Sequence, residues 1–184
     1  AFLILYWTGM RIGELLALTY KDIDFEKQKL EVRFNDGSVA QVIGTVKFKM
    51  PSNPEKQKEL HRDYGNYAHV ERDLIVRNVS EALSNTATYM VAEDSYASGR
   101  AVFSDLAMQQ LKEGIFKTST KTVEVVDTDG TKFKKKEIRV VYDENGNPVI
   151  QKPSLLKHYG IEILQFVVND FKYDAKIDDL IARK

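Results

Sequence analysis

The sequence predicts an α+β fold: a mainly helical domain with a small antiparallel three-stranded sheet and an additional β-hairpin. Three observations predict it. Apolar residues recur at helical spacing near both ends, through Leu15 and Leu18 early on and through Leu156, Tyr159, Ile163, Phe166 and Val167 after Pro153. The turn Asn35-Asp36-Gly37-Ser38 joins two alternating segments, as a hairpin requires. A second alternating pair flanks Asp127-Thr128-Asp129-Gly130-Thr131.

Taken in order, residues 1–19 read as two apolar helical pieces interrupted at Thr8 and Gly9, and Tyr20 to Phe25 as a polar connector. Lys29 to Phe34 and Val39 to Phe48 are the first hairpin strands, with Val42, Thr45, Val46 and Phe48 supplying β-branched and aromatic content. Met50 to Asn66 holds Pro51, Pro54 and the charged run EKQKELHRDYGN, a long loop or exposed helix. Arg72 to Arg77, RDLIVR, reads as the third strand, and Ser80 as the cap of a helix through about Val91. A short apolar piece, Ala101-Val102-Phe103, precedes a helix from Asp105 to Lys112 that Gly114 ends. TKTVEVV and KKKEIRVVYD form the second hairpin, a projecting ribbon. Ser154 opens a long apolar helix, and Asp174 caps a last short one with Ile177 and Leu180.

With 184 residues, 43% hydrophobic and 29% charged, the chain suits one domain with one sizeable core. Lys plus Arg and Asp plus Glu are both 27, so no global basic field advertises nucleic acid. There is no cysteine, which excludes disulfides, thiolate metal sites and cysteine nucleophiles and fits a cytoplasmic protein. The opening AFLILYW is too short to span a bilayer and lacks the basic start of a signal peptide, so no membrane partner is expected. The start on Ala inside an apolar helix reads as a fragment edge. No metal or cofactor motif is present, and none is expected.

The string Thr8 to Phe25, TGMRIGELLALTYKDIDF, places Arg11 in the first turn of a helix. A cation there opposes the helix dipole, but the same helix end with a guanidinium fork grips phosphate. Pairing of Arg11 with Glu14 one turn on is the plainer alternative, contributing about 0.2 to 0.5 kcal/mol. The whole string, followed by the strand-like KLEVRF, resembles the first active-site box of the tyrosine recombinases, the phage-integrase family, over about residues 1–35. The resemblance implies a metal-free enzyme that cuts and rejoins duplex DNA through a phosphotyrosine, assembling with itself on DNA beside a separate N-terminal DNA-binding domain. It implies that Arg11 is catalytic, with Glu14 supporting it, and that Lys49, with Lys47 behind it, is the family lysine. Residues 50–68 and 118–148 then read as insertions in a single partial catalytic domain spanning 1–184.

The rest of that active site is not found in the chain. His69-Val70-Glu71-Arg72 is the one H-x-x-R string, and it lies too near Arg11 to be the second arginine box. Tyr159 fits an apolar helix face, so no nucleophile is assigned. Lys132, Lys134, Lys135, Lys136 and Arg139 concentrate basic charge that suits a DNA backbone or, equally, a solvated hairpin edge. A non-catalytic DNA-binding or interaction module on a recombinase scaffold is the competing expectation.

Overall fold

The central strand is β3 (Val39–Lys49), whose alternation runs through its whole length: Ala40, Val42, Val46 and Phe48 are buried while Thr45 and Lys47 face solvent. The computed structural model describes residues 21–24, 30–95, 99–126 and 132–173, so the helices expected over residues 1–19 and after Asp174 lie outside the described residues. One edge of β3 is paired from Ala40 to Lys49 with β8 (Glu162–Tyr173). The other edge is shared by β1 (Lys21–Asp24), opposite Thr45 to Phe48, and β2 (Glu31–Arg33), opposite Val39 to Gln41. All pairs are antiparallel, giving a four-stranded sheet. Two smaller antiparallel sheets follow: β4 (Gly114–Phe116) with β7 (Ile150–Pro153), and β5 (Thr118–Val126) with β6 (Lys132–Val140). The fold is therefore mixed α+β with several small antiparallel sheets.

Helix α1 (Pro54–Tyr64) is the exposed-helix alternative for the proline-containing stretch. Asn53 caps it by accepting from the Glu55 N–H at 2.9 Å, Pro54 occupies the first turn where its missing N–H costs nothing, and Gly65 ends it. From Tyr67 to Ala87 the chain is helical without a break: α2 (Tyr67–His69), a π-helical stretch Val70–Val76, and α3 (Arg77–Ala87). The expected third strand over Arg72 to Arg77 does not exist. Val70, Leu74, Ile75, Val79, Ala82, Leu83, Thr86 and Ala87 are all buried and trace one helical face, and a short apolar run such as Leu74-Ile75-Val76 cannot by itself distinguish strand from helix. Ser80 sits inside α3 rather than capping it, and the helix stops at Ala87. The wide π turn leaves the Leu74 carbonyl to accept from the Asn78 side-chain amide at 2.7 Å.

The piece Ala101–Phe103 and the helix after it are one element, α4 (Gly99–Glu113), which packs on β8 and α3. α4 closes part of the outer edge of β8: Ser104 Oγ accepts from the Val168 N–H at 3.2 Å, and Arg100 donates to the Asn169 carbonyl and, at 3.1 Å, to Asp170. Lys21 to Asp24, expected as connector, is a strand because β3 supplies its partners, and Ile23 is buried in the core.

The largest departure is the long helix expected after Ser154. Only α5 (Leu155–His158) is helical, and Ser154 does cap it. Gly160, at φ 73°, then ends it: the Ile161 N–H reaches the Leu156 carbonyl at 2.8 Å and the Gly160 N–H reaches that of Lys157 at 3.1 Å, the paired closure of a helix by a left-handed residue. Beyond it lies β8, whose register with β3 slips between Ile43 and Gly44 and between Lys47 and Phe48. Asn169 and Leu164 are the extra residues, so the buried positions Ile163, Phe166, Val168 and Phe171 fall three, two and three apart. Two bulges thus give a strand nearly helical spacing.

The far end of the sheet is pinned to the α3–α4 connection. Phe34, Phe103, Phe171 and Tyr173 form an aromatic cluster with centroids 5.1 to 6.3 Å apart. The Asn35 N–H donates to the Met90 carbonyl at 3.0 Å, and Asp36 accepts from Ser38 at 2.9 Å and from the Ala92 N–H at 3.0 Å. Burial pushes the Asp36 carboxyl up, but the backbone N–H groups of Ser38 and Ala92 together outweigh it, and the net direction is down.

Two stability measurements follow. Gly114 has φ 127°, and a Cβ there would collide with the Lys152 carbonyl oxygen and stand 2.9 Å from Pro153 Cα; Gly146, at φ 80°, has open space around it. Gly114→Ala should therefore lose at least about 2 kcal/mol in urea unfolding and Gly146→Ala about 1 kcal/mol; equal losses would refute the close approach of β4 to β7. The Asp36 contribution is complete above its ordinary value of 3.8 and is lost as pH falls through the lower folded value, so Asp36→Asn should flatten the fall in stability below about pH 4. An unchanged slope would remove Asp36 from that linkage.

Candidate functional site

Among the described residues, those singled out in the sequence are not gathered into one site. Arg11 and Glu14 lie outside the described residues. Lys47 and Lys49 share the outward face of β3; Lys47 is exposed, and the Lys49 Nζ stands 4.0 Å from Glu162 Oε2 across the ladder. The basic stretch belongs to another sheet. Lys132, Lys134, Lys135 and Lys136 lie on β6, where Lys136 is exposed, the first three having side chains outside the described residues. Arg139 is held by Glu137 at 2.6 Å, so its charge is locally offset.

What the structure does gather is a polar face between α1 and α5. The Tyr159 hydroxyl donates to Asp63 Oδ2 at 2.9 Å, Arg62 Nε donates to Asp63 Oδ1 at 2.9 Å, and the Tyr64 ring stands edge-on to that of Tyr159 at 5.7 Å. His158 Nε2 lies 3.3 Å from Glu59 Oε1, and Glu59 also accepts from Lys56 at 2.9 Å. The Arg62 bond, with that of Tyr159 behind it, holds the Asp63 carboxyl below the usual carboxylate range; burial first and Asp63 second push the Tyr159 phenol well up. A phenol kept protonated in this way is the opposite of an activated nucleophile. These groups latch α1 to α5. Sequence spacing gives no sign of the latch, because Asp63 and Tyr159 are separated by most of the chain, although Gly160 as a helix stop marks where α5 must turn back.

A cleft between α3, α4, β4 and β7 is lined by Glu81, Gln110, Lys152 and Ser154 and holds about 10 Å³, room for a single water. Lys152 pairs with Glu81 at 2.7 Å, and the buried Gln110 amide donates to Thr86 Oγ1 at 2.8 Å. Among the described residues no three His, Asp or Glu side chains come together as a metal site. The ribbon β5–β6 is the other prominent feature, with Thr118 to Thr122 all exposed.

A family model described as SPFH domain / Band 7 family matches residues 7–184. The chain belongs to the SPFH/Band 7 family. No curated protein sequence matches it. The SPFH/Band 7 match runs through Thr8 to Phe25 itself, so the tyrosine-recombinase resemblance is overturned. With it go the DNA strand-cutting activity, the recombinase-scaffold alternative, the duplex DNA partner with its separate DNA-binding domain, and the expectation of no membrane partner. The catalytic roles of Arg11 and Lys49 and the supporting role of Glu14 came with that resemblance. The physical reason is that a basic first turn read from one short string is a local feature, whereas the SPFH/Band 7 match extends along almost the whole sequence.

If the α1–α5 latch acts as described, Tyr159→Phe should increase amide exchange in α1 and α5 without disturbing the β3–β8 ladder, and should bring the Asp63 carboxyl back toward its ordinary value. Unchanged exchange in α1 would show that Leu60 and its apolar contacts suffice.

Proposed function

We propose that the protein is a non-enzymatic, membrane-associated scaffold that assembles with itself, the role typical of the SPFH/Band 7 family, whose members include stomatin-, prohibitin- and flotillin-like proteins. The observation that carries this reading is the family match over residues 7–184. The geometry supports it in one respect. The ionic and polar side chains described above are engaged with one another as latches between elements, and the described cleft is too small for a substrate. A scaffold acts through surfaces, and the four-stranded sheet with its attached ribbon supplies a stiff frame for them. We place the scaffold on the cytoplasmic side of a membrane, with the lack of cysteine in support. Among the described residues no helix is long and apolar enough to cross a membrane.

The test is flotation of the full-length protein with vesicles containing anionic lipid, together with sedimentation velocity over a range of concentrations. The protein is expected to rise with the vesicles and to sediment as species larger than the monomer. Protein left in the dense fraction and monomeric throughout would overturn the reading.

A further inference from the structure

Among the described residues nothing covers one edge of the ribbon, and the direction of that edge can be worked out from the hydrogen bonds at its base. The Lys117 N–H donates to the Val149 carbonyl at 2.7 Å, and the Lys117 carbonyl accepts from the Val141 N–H at 2.9 Å. Both groups of Lys117 therefore point to the side where β6 and β7 lie. The Phe116 N–H points the other way, to Gln110 Oε1 at 3.4 Å. In an antiparallel ladder each residue turns both its backbone groups to one side and the next residue turns them to the other. Ser119, Lys121, Val123 and Val125 thus bond β6, and Thr118, Thr120, Thr122, Glu124 and Val126 turn their donors and acceptors outward. β5 pairs with no strand but β6, and among the described residues no hydrogen bond meets those outward groups.

At one other edge the fold supplies a partial cover: Arg100 and Ser104 of α4 bond the outer side of β8 at its bulge. The two edges of the ribbon also differ in charge. β6 reads KFKKKEIRV, and a lysine-rich edge resists strand addition, most of all by an identical strand. β5 reads TSTKTVEVV, rich in strand formers, without proline, and with one lysine balanced by one glutamate. An isolated two-stranded ribbon with solvent on both faces is marginal, so an added strand would stabilise it.

We propose that β5 is the edge through which two copies of this chain join, antiparallel, about a twofold axis at Thr122. The inference rests on the self-assembly reading above and assigns it a surface. A twofold normal to the ribbon pairs residues of equal parity, so outward residues meet outward residues. Centred on Thr122, the ladder engages all five of them: Thr122 faces Thr122 of the partner subunit and Thr120 faces Glu124 of the partner subunit. Lys121 then faces Val123 of the partner subunit, and no like charges are opposed; centring on Lys121 would set two lysines against each other. The joined ribbons form a four-stranded sheet with β6 on both outer edges.

The geometry also provides a selective probe. Proline at 122 removes an outward N–H and leaves the bonds to β6 intact, because Thr122 makes none of them. In the full-length protein, Thr122→Pro should weaken self-association about tenfold or more by sedimentation, while the amides of Lys121 and Val123 stay protected from exchange. In a cysteine-free background, Thr122→Cys should give a covalent dimer with a short bis-maleimide and Lys136→Cys should not. If Thr122→Pro loses amide protection in the ribbon, the crosslink decides. Wild-type protein that assembles equally well with Thr122→Pro and does not crosslink at 122 would overturn the edge assignment and leave the scaffold reading standing. Because Thr122 and Lys136 face each other within one chain, the two single-cysteine variants are mixed, and a crosslink from position 122 of one copy to position 136 of another would replace the twofold with head-to-tail addition and likewise overturn it. A wild type that is monomeric in solution and on vesicles would overturn both.

Discussion

The ladder between β3 and β8 is the constraint on which the rest of the structure depends. It joins residues near position 45 to residues near position 167 along the whole of β3. One face of it buries Val42, Val46, Phe48, Ile163, Phe166, Val168 and Phe171, each contributing about 1.5 to 3 kcal/mol by removal from water. That apolar face is what α3 and α4 cover, and the ladder's far end carries the aromatic cluster that holds the β2–β3 turn against the α3–α4 connection. β1 and β2 add to an edge that β3 offers only because β8 occupies the other. Phe103, fully buried between helix and sheet, ties the two layers together at the point where α4 also bonds the β8 edge.

The chemistry of the molecule is spent inward. Asp63, Glu59, Tyr159 and His158 hold α1 to α5, Glu81 and Lys152 bridge α3 to β7, and Lys157 and Glu113 bridge α5 to α4. Exposed pairs of this kind contribute little individually, but they set the angles at which short elements dock. Such an arrangement suits a domain that acts by holding a shape and offering edges. Arg100 and Ser104 bond part of the outer edge of β8, whereas among the described residues no strand but β6 pairs with β5.

Several signals that depend on a few neighbouring residues were read correctly, although Ser80 lies inside α3 instead of capping it. Asn35 to Ser38 makes the expected turn, β2 and β3 flank it, Gly114 ends α4, Ser154 caps α5, and the second hairpin projects with the expected pairing. Two of the failures share one cause. Arg72 to Arg77 and Ile163 to Phe171 have apolar spacings compatible with either period, and the partner that chooses between them lies far away in the chain. A π-helical stretch displaced the helical face in the first case, and two bulges displaced the strand alternation in the second. The recombinase resemblance failed for a related reason: a short string that reads as a helix with Arg11 in its first turn says nothing about the distant groups that an active site needs.

By itself, the sequence determined an α+β domain with one core, the position of its first hairpin and its ribbon, and the uneven charge of the two ribbon strands. Only the tertiary structure decided that the segment after Gly160 is the long partner of β3, that Tyr159 and Asp63 meet, and that among the described residues β5 pairs with β6 alone. Turns, caps and alternation are set by backbone sterics and by hydrogen bonds within a few residues. Strand pairing, bulges and edge exposure are set by which distant segments win the same apolar face, a competition no local pattern records.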